Sequence, residues 1–455
     1  MKTKLIVSTG VLALVAGGAF AQDLKFPVGE GAFNWDSYKA YDEATNLEGQ
    51  SITMFGPWRG EDQVLVETML AYFTAASGVT VNYSSSENYE QQIVIDTQAG
   101  SPPDIAILPQ PGLIADLASK GFITPLGADT ETWLRENYAA GESWVGLGTY
   151  AGADGTDALY AFPYKIDVKS LVWYSPDNFE DAGYTVPETM EDLKALQDQI
   201  VADGGTPWCI GLGSGGATGW PATDWVEDLM LRTQPPEVYD QWVTNEIPFN
   251  DPAVATALAE VGKILKNDKY VNGGQGDVKT IASTSFQDAG LALLDNGGCY
   301  LHRQASFYAA NFPEGTEVAE DGDVWAFYLP AKDETTKPVL VGGEFTAAFA
   351  DRPEVKAFQT YLASVEWANE RAKTCGGGGC VTANTQTDVS LLKNPIDKLS
   401  AEILTDEAST SRFDGSDLMP GAVGSGTFWK GMTDWIIGQD DKATLDYIEN
   451  SWPKS

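Results

Sequence analysis

The sequence contains a single histidine, His302, among 455 residues. A Ser-His-Asp or Cys-His mechanism would have to use that one imidazole, and a metal site built from several histidines is excluded. Carboxylates are abundant, with 65 Asp and Glu residues, and paired carboxylates hydrolyse glycosidic bonds without histidine. The residue types therefore leave glycoside hydrolysis as the main enzymatic alternative, and they predict no metal and no cofactor.

Four cysteines form two groups along the chain. Cys375 and Cys380 flank four glycines, a spacing that lets the chain turn back and close a small disulfide ring. The alternative, two soft metal ligands, lacks a second cysteine pair or a histidine nearby. Cys209 and Cys299 lie in short apolar runs and could bridge neighbouring strands, but the sequence leaves their pairing open.

The amino terminus has the pattern of a secretory signal peptide. Lys2 and Lys4 precede an apolar run that is too short to span a bilayer, and Ala19-Phe20-Ala21 matches an A-x-A cleavage site. We therefore predict a signal peptide at residues 1–21, with a mature chain that begins at Gln22. The whole chain has a net charge of −37, which disfavours nucleic acid and anionic lipid as partners.

The spacing of apolar residues predicts an α/β architecture. A strand at residues 51–55 is followed by a Gly/Pro loop, an amphipathic helix that Gly78 ends, and a second strand; residues 89–108 repeat this pattern. Ligands of such sheets bind beyond the carboxyl ends of the strands. The candidate binding residues at these ends are Trp58, Arg59 and Gln110.

Further candidates lie in the second half of the chain. Trp220 and Asp224 are one helical turn apart after a glycine-rich loop, so an aromatic ring and a carboxylate can point the same way. Arg303, Gln304 and Glu344 each follow or end a predicted strand. The alternative for Trp220 is a helix anchor with Asp224 as an ordinary surface charge, and for the other three a solvated loop.

Several segments, in their order along the chain, carry a family resemblance. They are Ala99–Ile105, Tyr160–Tyr174, Val341–Phe345 with the helix after it, and Met419-Pro420 followed by Phe428-Trp429. Together they resemble the extracellular solute-binding proteins of carbohydrate importers, the family of maltose-binding protein, and most closely its α-glucoside-binding branch. Gln110 departs from the pattern, because maltose-binding relatives have an acid there, and the Cys375–Cys380 insert is a second departure.

The resemblance implies a two-lobed periplasmic binding protein fold, in which each lobe is an α/β sheet flanked by helices and hinge crossings join the lobes. It implies one lobe from residues 22–163 and 331–366, and another from residues 164–330 and 367–455. It also implies that Asp167 contacts the sugar and that Trp429 stacks on it, or else packs in the core. The implied partners of this monomeric protein are a small sugar and a permease with a cytoplasmic ATPase.

The composition suits a sugar ligand. A sugar ring has apolar C–H faces and an equator of hydroxyls, so its site needs flat aromatic rings and planar polar groups; the chain supplies 14 Trp, 18 Tyr and 18 Phe residues. Most of these aromatics are expected in the core. We predict capture of an α-glucoside of the maltose, trehalose or sucrose class without turnover. The alternative is a secreted hydrolase that uses two acids such as Asp167 and Asp224, and a lectin-like adhesin fits poorly because linkers and repeats are lacking.

Overall fold

The computed structural model describes residues 47–138, 141–272, 277–295, 298–332, 335–375 and 379–453. The predicted signal peptide at residues 1–21 lies outside these ranges. Within them, none of the helices is both long and apolar enough to cross a membrane.

Strands and helices alternate through the described part of the chain, as the apolar spacing predicts. The strands are β1 (Ser51–Gly56), β2 (Thr80–Ser85), β3 (Ile105–Leu108), β4 (Thr149–Ala151), β5 (Asp157–Leu159), β6 (Ala161–Val168), β7 (Leu171–Tyr174), β8 (Trp208–Cys209), β9 (Val271–Asn272), β10 (His302–Arg303), β11 (Trp325–Tyr328), β12 (Lys337–Ala348) and β13 (Ser409–Phe413).

The α-helices are α1 (Glu61–Ser77), α2 (Tyr89–Gln98), α3 (Pro111–Ser119), α4 (Ala128–Asn137), α5 (Gly141–Gly148), α6 (Pro176–Ala182), α7 (Met190–Ala202), α8 (Trp220–Thr233), α9 (Pro236–Val243), α10 (Pro252–Leu265), α11 (Phe286–Ala289), α12 (Pro353–Ala363), α13 (Val365–Thr374), α14 (Pro395–Thr405), α15 (Gly415–Leu418), α16 (Trp429–Ile437) and α17 (Asp441–Glu449). The predicted stop of the first helix is confirmed, because Gly78 adopts a left-handed φ of 71° and its N–H bonds to the carbonyl of Thr74.

The largest sheet is mixed and has the strand order β13-β12-β3-β1-β2, with β6 also paired to β12. The parallel pairs β1–β2 and β1–β3 come from the predicted β-α-β opening. The long strand β12 pairs in parallel with β13 and antiparallel with both β3 and β6. A separate three-stranded sheet has the order β10-β7-β11. The short turn between β6 and β7 therefore connects the two sheets.

Two large hydrophobic clusters surround these sheets. The first gathers apolar residues of β1, β3, β6 and the helices beside them, and the second gathers those of α8, α10 and α16. Trp367, Ile396 and Phe413 belong to the first cluster, and β13 extends the first sheet. The lobe boundaries stay a prediction, and we propose that residues 367–413 belong to the first lobe rather than to the second, where the sequence resemblance puts them.

Both cysteine pairs are joined. Cys375–Cys380 forms the predicted short ring, and Cys209–Cys299, whose pairing the sequence left open, links β8 to the segment before β10. The Cα atoms are 5.9 Å apart in the first pair and 5.5 Å in the second, a normal disulfide separation.

Candidate functional site

A cavity of about 980 Å³ is lined by residues from widely separated parts of the chain, from Pro57 to Trp429. Its wall receives loops from the first sheet's strand ends, part of β6 and β12, and residues from α8, α11 and α16. Seven of the residues that the sequence singled out line this cavity: Trp58, Arg59, Gln110, Asp167, Trp220, Glu344 and Trp429. Trp58, Arg59 and Gln110 were predicted to lie there because ligands of such sheets bind beyond the carboxyl ends of the strands.

Trp58 is held in place by the strand beside its loop. The N–H of Trp58 donates to the hydroxyl of Tyr83, and that hydroxyl donates to the Trp58 carbonyl, both at 3.0 Å. The ring stacks near Tyr83 and meets Tyr164 edge-on, with centroids 5.9 Å apart in the second pair. Gly56 makes this approach possible, since a Cβ there would lie 2.8 Å from the Tyr83 hydroxyl. The half-buried indole therefore presents a fixed flat surface to the cavity.

Two more tryptophans come from the opposite side. Trp220 starts α8, and its ring lies edge-on to Phe286 at 5.0 Å. Trp429 starts α16 directly after a π-helical turn at residues 422–428, a feature that often occurs at functional sites. Gly219 has a φ of 113° and packs against the backbone of Trp429, where a Cβ would be only 2.1 Å from the carbonyl oxygen. Because glycine permits this contact, the start of α8 packs closely against the start of α16.

Arg59 also lines the cavity, but it is more than half exposed and forms an ion pair of 2.6 Å with Glu87. The contact is a surface salt bridge, with both side chains more than half exposed. An exposed pair of this kind contributes little to stability, so Arg59 can exchange Glu87 for a ligand hydroxyl at low cost.

Four charged residues form what we name the Lys165 cluster: Lys165, Asp167, Glu344 and Arg371, all of which line the cavity. The Lys165 Nζ atom lies 2.9 Å from Asp167 Oδ2 and 3.2 Å from Glu344 Oε1. Glu344 sits beside a register shift in the pairing of β12 with β6, and such a bulge re-aims a side chain. The cluster places two cations and two carboxylates at the cavity wall.

Burial and neighbouring charge act in opposite directions on this cluster. Burial lowers the pKa of Lys165, but the carboxylates of Asp167 and Glu344 outweigh it, so the pKa lies above its ordinary value. Burial raises the pKa of Glu344, against the effect of Lys165. Lys165 is therefore charged at neutral pH, while Glu344 is closer to accepting a proton than a surface glutamate is.

Several buried polar atoms of the wall have no hydrogen-bond partner within the described ranges. They are Gln110 Oε1, Glu344 Oε2, Arg371 Nε and Trp429 Nε1. Leaving such a group unpaired costs about 1–3 kcal/mol, which a ligand that carries both donors and acceptors would recover. Hydroxyl groups have this property, because each is one donor and two acceptors.

Asp224, Arg303 and Gln304 do not line the cavity. Asp224 and Arg303 belong to a buried group that we name the Lys169 network, which consists of Lys169, Arg232, Arg303, Asp224, Asp228 and Asp414. Gln304 is buried, and its side-chain oxygen accepts from the N–H of Ala305. The contact of these three residues with a ligand stays a prediction, which the pairing of Asp224 with Lys169 and Arg303 does not favour.

The Lys169 network balances three cations with three carboxylates. Lys169 Nζ lies 3.1 Å from Asp224 Oδ1 and also bonds to Asp414, while Arg303 Nη1 lies 3.1 Å from the other oxygen of Asp224. Burial raises the pKa of Asp224 to about 6, although Lys169 and Arg303 both lower it. Asp228 differs: burial raises its pKa, but Arg303, Arg232 and the hydrogen bond from Ser170 together outweigh burial, and the pKa lies below its ordinary value.

The carboxylates of Asp224, Glu227 and Asp414 come within 4.8 Å of one another, close enough to suggest a cation site. The ammonium group of Lys169 already bonds to two of them. Burial raises the pKa of Glu227 well above its ordinary value, with Asp414 and Asp224 adding to the shift. Because the Lys169 ammonium group already neutralises two of the three carboxylates, they make a poor ligand set, and we propose no metal here.

Sequence reasoning missed Lys165, Arg371, Phe286 and Phe307, which also line the cavity. A signal for Lys165 was present, because it precedes Asp167 by two positions on one strand and so shares its face. The Lys165 Nζ atom also lies 5.6 Å from the centre of the Phe307 ring. Arg371, at the end of α13, reaches the cavity only through long-range packing.

Residues 60–369 match the family model described as "Bacterial extracellular solute-binding protein". This protein belongs to that family. The resemblance found in the sequence is thereby confirmed, and membership in a family of binding proteins favours capture of a solute over hydrolysis.

Two curated relatives cover most of the chain. The alpha-glucosides-binding periplasmic protein AglE of Rhizobium meliloti is 54% identical, and the match covers 99% of each protein. The osmoprotective compounds-binding protein GgtB of Synechocystis is 43% identical over 89% of this chain and 93% of the relative.

Solved structures confirm the two-lobed α/β architecture. The bacterial solute receptor AcbH superposes with a TM-score of 0.73 at 19% identity, over 88% of this chain and 98% of the receptor. Maltose-bound MalE3 of T. maritima gives a TM-score of 0.66 at 15% identity, over 88% and 98%. At these identities the likeness concerns the fold alone.

Proposed function

We propose that this protein is the periplasmic substrate-binding subunit of an ABC-type sugar importer, which holds an α-glucoside in the cavity and delivers it unchanged to the permease. The observation that carries the proposal is the cavity wall, where Trp58, Trp220 and Trp429 meet buried polar atoms that lack a partner within the described ranges. The indoles suit the apolar faces of a sugar, and the polar atoms suit its hydroxyls. The name of the 54%-identical relative adds the α-glucoside class.

The proposal has further parts that rest on the family and the sequence. Residues 1–21 would direct export and be removed, and the mature monomer would shuttle between the sugar and the permease subunits, whose cytoplasmic ATPase drives import. Two lobes around a cavity can close on the ligand by hinge bending.

The alternative of glycoside hydrolysis is less well supported. Hydrolysis requires two carboxyl groups on either side of the scissile bond. Asp224, one of the pair considered from the sequence, is fully buried and bonded to Lys169 and Arg303. Asp167 and Glu344 share one ammonium group, that of Lys165, in the same cluster.

The experiment combines calorimetry with a test for turnover. Mature protein is titrated with maltose, trehalose and sucrose while tryptophan fluorescence and free glucose are recorded. We expect saturable binding with a spectral change and no glucose; release of glucose would establish hydrolysis instead, and the absence of binding to any α-glucoside would refute the ligand class.

Variants locate the binding site. Asp167→Asn should weaken binding by about 10- to 100-fold, the worth of a hydrogen bond to a charged group, and Trp58→Ala by about tenfold. The matched controls are Asp116→Asn, at an exposed pair with Lys120, and Trp452→Ala, which lies outside the cavity wall. Equal affinities in site and control variants would place the ligand elsewhere.

A further inference from the structure

The Cys375–Cys380 disulfide lies against the Lys165 cluster. Cys375 follows the last residue of α13 and lines the cavity, and both cysteines are buried. The chain from Gly379 onwards then passes beside β6, the strand that carries Asp167. A short covalent ring is thus in contact with the wall of the proposed sugar site.

Three hydrogen bonds fix the returning segment. Arg371 Nη2 donates to the Gly379 carbonyl at 2.8 Å, and the Cys380 N–H donates to Asp397 Oδ1 at 2.9 Å. The N–H of Ile166, between Lys165 and Asp167, donates to the Val381 carbonyl at 2.9 Å. The ring is therefore joined to β6 on one side and to the Arg371 side chain on the other.

Gly379 makes the closest approach to the site. Its φ of 69° lies in the left-handed region, and a Cβ at this position would come within 2.9 Å of Asp167 Oδ1 and 3.0 Å of Phe307 Cβ. Only glycine combines that backbone conformation with that contact at no steric cost. The position of Gly379 thus limits where the Asp167 carboxylate and the Cβ atom of Phe307 can lie.

We propose that the Cys375–Cys380 disulfide, acting through Gly379, positions Asp167 and Arg371 for the sugar and is required for full affinity. The inference rests on the proposed function. The disulfide and Gly379 are positioning residues: they set the geometry of Asp167 and Arg371, which face the cavity. Opening the ring frees the Gly379 carbonyl from its fixed place, so both charged groups gain alternative conformations that sugar binding must remove.

The test measures sugar affinity by calorimetry in three variants. Cys375→Ser/Cys380→Ser opens the ring, and Gly379→Ala keeps the disulfide but introduces the contact with Asp167. We expect about a tenfold loss of affinity in each. Gly315→Ala is the matched control, because Gly315 also has a positive φ, of 93°, with nothing within 4 Å of an added Cβ; its affinity should stay within twofold of the unmodified protein.

A double-mutant cycle separates positioning from general destabilisation. If the ring acts partly through Asp167, opening it in an Asp167→Asn background should cost clearly less affinity than opening it in the unmodified protein, because only its effect through Arg371 remains. Additive losses, or an affinity of the Gly379→Ala protein equal to that of Gly315→Ala, would overturn the inference while leaving the proposed function intact. Failure of the unmodified protein to bind any α-glucoside would overturn both. If the double serine variant does not fold, Gly379→Ala alone decides.

Discussion

Replacement of Lys169 by methionine tests the account of the buried charges. Lys169 supplies one of the three positive charges of the Lys169 network, and its partner Asp224 is fully buried. The substitution keeps most of the apolar stem but leaves Asp224 and Asp414 with one cation fewer. Removing one partner of a buried ion pair costs about 3–5 kcal/mol, so we expect the free energy of unfolding at pH 7 to fall by about that amount.

The loss should depend on pH in a defined direction. Burial already raises the pKa of Asp224 to about 6 in the native protein, and without Lys169 the carboxyls of the network would titrate higher still. A carboxyl group whose pKa is raised by folding binds a proton more tightly in the folded state, so its contribution is favourable at low pH and is lost as pH rises. The destabilisation should therefore shrink between pH 7 and pH 5, by about 1.4 kcal/mol per pH unit for one proton.

Urea denaturation at pH 5 and pH 7 measures both effects. Lys430→Met is the matched control, because Lys430 forms an exposed pair with Asp434, and we expect a change below about 1 kcal/mol. The reasoning would be refuted if the two methionine variants were equally stable, or if the loss at Lys169 were the same at both pH values.

Two further predictions concern stability. By the chain-entropy model, removing the Cys209–Cys299 disulfide, whose cysteines are 90 residues apart, should lower the free energy of unfolding by about 4.6 kcal/mol. Removing the Cys375–Cys380 disulfide, whose cysteines are 5 residues apart, should lower it by about 2.2 kcal/mol. Thermal unfolding of the two double serine variants checks this order, and the reverse order would contradict it. His302 is buried with a ring nitrogen bonded to the Cys209 carbonyl, and burial lowers its pKa to about 4. Because that pKa is depressed, His302 contributes about 3 kcal/mol to the free energy of unfolding above pH 6.5, and this contribution is lost as pH falls towards 4. The NMR titration of this single imidazole should have its midpoint near 4. A midpoint near 6.5 would show instead that the ring is accessible to water.

Local pattern was enough to predict the opening of the first sheet. The helix and strand predicted within residues 89–108 are confirmed as α2 and β3, and the helix that Gly78 ends is confirmed as α1. In contrast, β6 runs from Ala161 to Val168, through Pro163. Its length depends on pairing with β12, nearly 180 residues later in the chain, and no local pattern contains that information. For the same reason the sequence did not show that β13 joins the first sheet.

The sequence was enough to predict those residues of the candidate site that directly follow a strand. Trp58 and Gln110 line the cavity because loops at the carboxyl edge of a parallel sheet converge. The sequence could not show that Asp224 and Arg303 are buried away from the cavity wall, since a charged residue in a sequence looks the same whether it faces a ligand or a buried counter-charge. The sequence could not show that Lys169 lies between Asp224 and Asp414, because these residues come from three distant segments.

The pairing of β12 with β13 also bears on how the protein is made. Residues 337–341 pair with residues 409–413, so a nascent chain cannot complete its first sheet until the ribosome has translated Phe413. A fragment truncated before Ser409 would present the backbone of β12 as an open edge, which invites association with other chains. Libraries of truncated forms should therefore give soluble protein only when they retain β13.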